Sequence, residues 1–443
     1  MQRVATYTET LRANIGQKTS YASLSWGMLC LLLFTMVVLG RVQEVFPALA
    51  PLRLGVIFGG LAGLAWFIAP GSLRDKIPVD IRPVRYLIIL FALSLITIPV
   101  GAWPSHSLEY VLQVYWKNVL LFLLILFWSR SVHDIRRLIW VCCLGATTLV
   151  ASGLLTGQVG DQRFHAESHT YDPNDLALLI VMVLPLMLYL FSVARPIFKP
   201  AVIAMALVCL YGFILTQSRG GFVALLAVGL LMVFRKTLSP TLRIGLLAAA
   251  LLVFAAGAGA NFWERMQTMT VEAETGSGRT DIWKRGLGIL VTHPWGVGIA
   301  AYEAADGAAG GRYQPAHNSF LQVGVELGLL GGVIYILLLK RTVFELRRVQ
   351  ALPRTESPAK KSGAMAWATN PVPKSTHEVA PLAAALELSL WGFMVGGFFL
   401  TQGYSAPLYI VLALSLVCAR LAQRDGIPVQ KVKVQWGMKR KAQ

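Results

Sequence analysis

The most constraining feature of this chain is a succession of apolar runs, each close to the ~20 residues that an α-helix needs to cross a bilayer. Backbone N–H and C=O groups find no water in hydrocarbon, so such runs must satisfy themselves internally as helices. Twelve runs fit: 22–40, 52–69, 84–101, 108–129, 137–156, 174–194, 199–217, 220–234, 242–259, 317–339, 379–402 and 404–421. Composition agrees, with 56% of the 443 residues hydrophobic and 14% charged. A soluble chain carries about 25% charged residues. The expectation is an all-α polytopic membrane protein of about twelve transmembrane helices. A typical soluble enzyme, a disordered protein and a disulfide scaffold are excluded. Cys30, Cys142, Cys143, Cys209 and Cys418 all fall inside apolar runs, and no CxxC pair or Cys/His cluster accompanies them. The polar first twenty or so residues differ from a cleavable signal peptide, so the first span is read as retained.

Basic residues fix the expected orientation, because cytoplasmic loops carry the excess of Lys and Arg. With both termini inside, the inner segments hold 30 of the 40 Lys and Arg, and every inner loop is basic. The net charge of +18 is thereby assigned to cytoplasmic edges facing anionic lipid headgroups. No nucleic-acid-binding motif accompanies it. The predicted organisation is helices 1–9 over 1–259, an outward loop over 260–316, helix 10 over 317–339, a cytoplasmic linker over 340–378, helices 11 and 12 over 379–421, and a basic tail over 422–443. Within the outward loop, 279–291 places Ile282, Gly286, Ile289 and Leu290 on one helical face, predicting an amphipathic helix near the membrane surface.

Basic residues are scarce on the outer side, and each needs a reason. Arg219 stands in Gln217-Ser218-Arg219-Gly220-Gly221, a tight turn between two apolar runs. A guanidinium there can hold phosphate oxygens bidentately, and a helix N-terminus favours the same anion. Headgroup snorkelling is the alternative. Arg279 opens the amphipathic segment. Arg163 lies in the loop with Asp161, His165 and His169, where a local salt bridge is equally open. Arg265, Lys284, Arg285 and Arg312 read as surface charges. His317, in Pro315-Ala316-His317-Asn318-Ser319, stands where the outward loop meets the next span. It reads either as an interfacial residue or as a base able to accept a hydroxyl proton near neutral pH. The His165/His169 pair lacks a convincing third metal ligand. Glu326 and Glu387 fall inside spans and read as structural or solvated. Gly324, Gly328 and Gly332 have the small-xxx-small spacing of close helix packing.

The run from Gly278-Arg279 through Ile282-Trp283-Lys284-Arg285-Gly286, Thr292-His293-Pro294-Trp295-Gly296-Val297-Gly298 and Ala316-His317-Asn318-Ser319-Phe320-Leu321 to Glu326-Leu327-Gly328 resembles the signature region of the O-antigen ligase and polymerase superfamily. Gln217-Ser218-Arg219-Gly220 is similar to its other outer arginine motif. The resemblance implies an inner-membrane glycosyltransferase with a periplasmic active site. The implied donor is an undecaprenyl-pyrophosphate-linked O-antigen polysaccharide, and for a ligase the acceptor is the lipid A–core. It further implies Arg219 and Arg279 as essential cations and His317 as the essential histidine. The family's later outer acidic position has no match in Gln402-Gly403-Tyr404-Ser405-Ala406, so an acidic partner for His317 is unassigned.

These residues suit that chemistry. A lipid pyrophosphate is a good leaving group that needs its charge held, by Arg219, Arg279 and Arg163, and the acceptor needs one base, His317. Asn318 and Gln217 are expected to support the site. No cofactor and no metal is expected. The alternatives are an O-antigen polymerase, a protein O-oligosaccharyltransferase or, in another class, a transporter of lipid-linked oligosaccharide.

Overall fold

The computed structural model describes residues 25–69, 82–156, 159–160, 163–164, 171–233, 278–351 and 375–424. The predicted span 242–259, Asp161, His165, His169, Arg265 and most of the linker and tail lie outside the described residues. Among the described residues the fold is helical, apart from one antiparallel two-stranded ladder, β1 (Val159–Gly160) with β2 (Arg163–Phe164).

The helices are α1 (Trp26–Leu39), α2 (Leu54–Ile68), α3 (Arg82–Ile96), α4 (Pro104–Trp128), α5 (Val132–Thr156), α6 (Pro173–Val193), α7 (Lys199–Thr216) and α8 (Arg219–Val233). Further along the chain come α9 (Arg279–Thr292), the short α10 (Tyr302–Ala308), α11 (Ser319–Gln350), α12 (Ser375–Gly397) and α13 (Ala406–Arg424). Every predicted span within the described residues coincides with a helix. Among the described residues, eight helices are long and apolar enough to cross a membrane, counting those that extend α2 and α7 by a preceding 3₁₀ turn. Helices α1, α3 and α8 are shorter.

Local sequence sets the helix ends. Ser25 caps α1 by accepting from the Met28 N–H. Asp172 caps α6 with Pro173 at the first helical position, where a missing N–H is harmless. Asn318 caps α11 through the N–H groups of Phe320 and Leu321. Helix α6 lies against α12, which also packs on α8, α11 and α13, and these elements form the buried centre. Helix α2 sits at the edge and leaves Leu61, Leu64, Phe67 and Ile68 exposed, as a lipid-facing helix does.

The amphipathic expectation holds for α9, which buries Ile282, Gly286 and Ile289 against α10 and α11. Two expectations are revised. Helix α11 continues past Leu339 to Gln350, because Arg341 and Arg348 pair with Glu345 and Arg347 pairs with Glu387 along its last turns. The glycines at 324, 328 and 332 do not form one continuous packing stripe, although Gly324 faces Leu290 of α9. Gly328 adopts φ 76°, ψ 177° and breaks α11, folding the chain until a Cβ on Gly332 would lie 3.1 Å from the Gly324 Cα.

That break is filled by the segment between α9 and α10. The N–H groups of Val297 and Gly298 donate to the carbonyls of Val325 and Glu326, each at 3.0 Å, and the Leu329 N–H donates to the Pro294 carbonyl at 2.8 Å. Backbone groups released by the kink are thereby paired. Gly296 and Gly328 have positive φ, and a Cβ on either would come within 2.5 Å of a backbone oxygen across this junction. The same segment reaches α4: the Ala102 N–H donates to the Val297 carbonyl at 2.7 Å, and Ser107 Oγ to the Ile299 carbonyl at 2.6 Å.

Candidate active site

Five chain segments converge at one end of the bundle: the start of α6, the α7–α8 turn, the start of α9, the residues before α11 and the α12–α13 connection. The α7–α8 turn is made by Gln217, at φ 49°, followed by Ser218. Ser218 is buried; its Oγ accepts from the Gly221 N–H at 3.1 Å and donates to Asn174 Oδ1 at 2.9 Å. Helix α8 therefore begins at Arg219 with its first turn tied to the first turn of α6. Phe399 packs against Gly220, whose added Cβ would meet the Phe399 Cβ at 3.2 Å. The guanidinium of Arg279 lies over the same ring at 5.8 Å. Arg279 thus lies over an aromatic ring that packs against Gly220, the residue after Arg219, and both arginines are half-buried.

His317 is held from the backbone. Its φ of 45° is left-handed, a conformation that non-glycine residues adopt where surrounding structure imposes it. Its N–H donates to Thr401 Oγ1 at 2.8 Å. On one side, Trp283 Nε1 donates to the Ala316 carbonyl at 3.1 Å, linking α9 to the residue before His317. On the other, Ser319 Oγ donates to the Leu400 carbonyl at 2.7 Å and accepts from the Gln402 N–H at 3.0 Å. The imidazole is left half-buried.

Burial holds the imidazole pKa below its ordinary value, the charge of Arg279 lowers it further, and Asp172 partly opposes both. Arg279, His317 and Asp172 therefore share one electrostatic neighbourhood. Asp172 is an acidic neighbour that sequence reasoning missed. It accepts from the N–H groups of Asn174 and Asp175 at 2.7 and 2.8 Å, and Asn174 in turn receives Ser218. Asp175 lies beside the Gln402 side chain. The only sequence sign was Asp172-Pro173-Asn174-Asp175, which reads as a helix cap.

Other predicted residues have different settings. The side-chain oxygen of Asn318 is committed to capping α11, and Gln217 serves the turn. The Arg163 backbone lies in β2, and its side chain is outside the described residues. Arg285 is no surface charge: its Nε donates at 2.7 Å to the fully buried Asp306. With Tyr302 Oη donating to the Ile282 carbonyl at 3.0 Å, this pair fixes α9 on α10. Lys284 and Arg312 are exposed, as expected. Glu326 is 1% exposed, beside Tyr404 and Gln322, so it is not solvated. Glu387 is structural, receiving Arg347 Nε at 2.9 Å, Gln350 Nε2 at 2.7 Å and Trp391 Nε1 at 3.2 Å. Among the described residues, no group of three His, Cys, Asp or Glu is placed to hold a metal ion.

Residues 203–336 match the family model described as O-antigen ligase. The match runs from α7 into α11 and includes Gln217, Arg219, Arg279, His317 and Asn318. It agrees with the resemblance carried by the sequence motifs and supports membership of the O-antigen ligase superfamily. Together with the apolar helices, it points to a bacterial membrane protein with glycosyltransferase-like activity of the ligase or polymerase type. No curated protein matches the chain.

Proposed function

We propose that this protein transfers O-antigen polysaccharide from undecaprenyl pyrophosphate to the lipid A–core, at the periplasmic face of the inner membrane, with both termini cytoplasmic. The observation that carries this reading is the convergence of His317, Arg279 and Asp172 around one aromatic-lined corner next to the Arg219 turn.

The reaction is a single displacement. A hydroxyl oxygen of the acceptor forms a bond to the anomeric carbon as the bond from that carbon to the pyrophosphate oxygen breaks. The configuration inverts, and undecaprenyl pyrophosphate leaves. The hydroxyl proton passes to His317, which is predominantly neutral at pH 7 because burial and Arg279 disfavour its cation. Arg219 and Arg279 hold the charge that develops on the leaving oxygen, with Arg163 as a third cation. A pyrophosphate leaving group held by fixed guanidinium groups needs neither an acid to protonate it nor a divalent metal.

The test is reconstitution of purified protein with the undecaprenyl-pyrophosphate-linked donor and lipid A–core in EDTA, with products resolved on a lipopolysaccharide gel. Wild type is expected to convert core into a polymer-bearing ladder, and His317→Ala is not. Longer lipid-linked chains with untouched core would identify a polymerase. An intact donor would overturn the transferase reading.

A further inference from the structure

The half of α11 before its break carries three buried polar side chains, Ser319, Gln322 and Glu326, at the i, i+3 and i+7 spacing of one helical face. Buried polar groups in a membrane bundle are costly, and apolar residues would pack a helix as well. The opposing surface accounts for the first two. The α12–α13 connection is non-helical backbone, whose polar groups need partners. Ser319 serves Leu400 and Gln402, and Gln322 Oε1 accepts from the Gly403 N–H at 3.1 Å.

Glu326 is different. It has no ion pair among the described residues, and its Oε2 is buried without a hydrogen-bond partner. Its carboxyl group faces the Tyr404 hydroxyl, the Gln322 amide and the backbone N–H groups of Ala300 and Tyr302. Its own carbonyl takes the Gly298 N–H, and Ala300 adopts a left-handed φ of 57° where the chain passes it. Helix α11, the segment docked in its break and the α12–α13 connection therefore meet at one side chain.

Two short paths lead from there to the candidate active site. Tyr302 Oη donates to the carbonyl of Ile282, within one helical turn of Arg279. Tyr404, whose carbonyl receives Asn118 Nδ2 at 2.8 Å, lies on the same connection as Thr401, the acceptor of the His317 N–H. The left-handed backbone of His317 persists only where its surroundings impose it, so whatever fixes the connection fixes the imidazole.

We propose that Glu326 is a positioning residue that holds the mount of His317 in register with the mount of Arg279. This rests on the transferase reading above for the roles of those two residues. Base and cation act at opposite ends of one displacement, at the acceptor hydroxyl and at the leaving oxygen. Their separation must therefore be fixed, and a misplacement of about 1 Å costs on the order of 10²-fold in rate. A carboxyl group suits the task, because its two oxygens accept from donors on several segments at once. Glu326 acts through Tyr302 and Tyr404.

The experiment pairs hydrogen–deuterium exchange with steady-state kinetics on purified full-length protein in detergent. Glu326→Leu, Glu326→Gln and Gln322→Leu are compared with wild type, and Glu387→Leu is a control destabilised elsewhere. In Glu326→Leu, peptides covering 279–285, 314–320 and 400–405 should exchange about tenfold faster, the loss of one buried hydrogen-bonding group. Its kcat should fall on the order of tenfold to a hundredfold, with KM for the donor unchanged. Glu326→Gln keeps an acceptor oxygen and should restore most of both. Gln322→Leu should speed exchange at 314–320 and 400–405 and spare 279–285. Glu387→Leu should melt lower, with these three stretches and kcat unaltered. Unchanged exchange at 314–320 in Glu326→Leu, or a lower melting temperature with kcat intact, makes Glu326 a packing residue and overturns the proposal. A raised KM with kcat intact overturns it too, as a substrate contact. Should Glu326→Leu fail to fold, wild-type exchange at 314–320 in Gln322→Leu is the overturning result. If wild type transfers no polymer while exchange follows the expected pattern, the anchoring stands and the transferase reading fails.

Discussion

His317 joins a backbone held in place to a side chain kept neutral. Thr401 fixes its N–H, while burial and Arg279 disfavour its protonated ring. The neutral form is the base, so activity is lost as pH falls through the imidazole pKa. That limb should lie below the ordinary histidine value of about 6.5. Asp172→Asn removes the one opposing charge and should move the limb to still lower pH, with the α6 cap preserved because Asn also caps. Arg279→Gln should move it upward while slowing transfer. The pH dependence of kcat/KM distinguishes these shifts, and a wild-type limb above 6.5 would contradict the assignment. Arg219→Ala and Arg279→Ala should each reduce transfer by about 10²–10³ without loss of protein from the membrane.

Among the elements, the broken helix α11 matters most for the site. The segment after α9 docks into the break at Gly328 and spans from there to α4, so Arg279 is placed by backbone hydrogen bonds rather than by a free loop. Gly296→Ala and Gly328→Ala each force a Cβ into a backbone oxygen from a left-handed conformation that itself costs about 1–2 kcal/mol. Both should lower the melting temperature of detergent-purified protein and reduce transfer, whereas an alanine at Gly288, which has open space around it, should do neither. The apolar face of α9 was legible from its spacing, as were the helices, because burial follows side-chain periodicity. The docked segment was not, since backbone-to-backbone pairing leaves no side-chain pattern. Gly328 consequently read as a packing glycine. Asp172 was illegible as a neighbour of His317 for a related reason: Ser218 and Asn174, separated by 44 residues, close that corner only in three dimensions.

Across the whole molecule, the two ends have different tasks. One gathers His317, Arg219 and Arg279. At the other, Glu387 on α12, 2% exposed, joins Arg347 and Gln350 of α11. Nearby, Arg420 of α13 donates to the Ser129 carbonyl after α4. Glu387→Leu should therefore destabilise the protein by about 1–3 kcal/mol, the loss of charged hydrogen bonds, while leaving the pH limb of transfer unmoved. A thermal melt paired with a pH profile on the same preparation separates the two effects. A shifted limb would mean that the far end communicates with His317.

The docked segment also imposes an order on biosynthesis. Residues 294–298 leave the ribosome before the half-helices that flank Gly328, so they are made while the groups they will bind are still unmade. The later segment must arrive as an interrupted helix whose exposed carbonyls are sheltered only when the waiting segment slots in. A chain ending near 318 would have its histidine and both arginines and still lack the seam that aligns them. Competence is thus acquired late, in one step, as the kinked span meets the segment that preceded it.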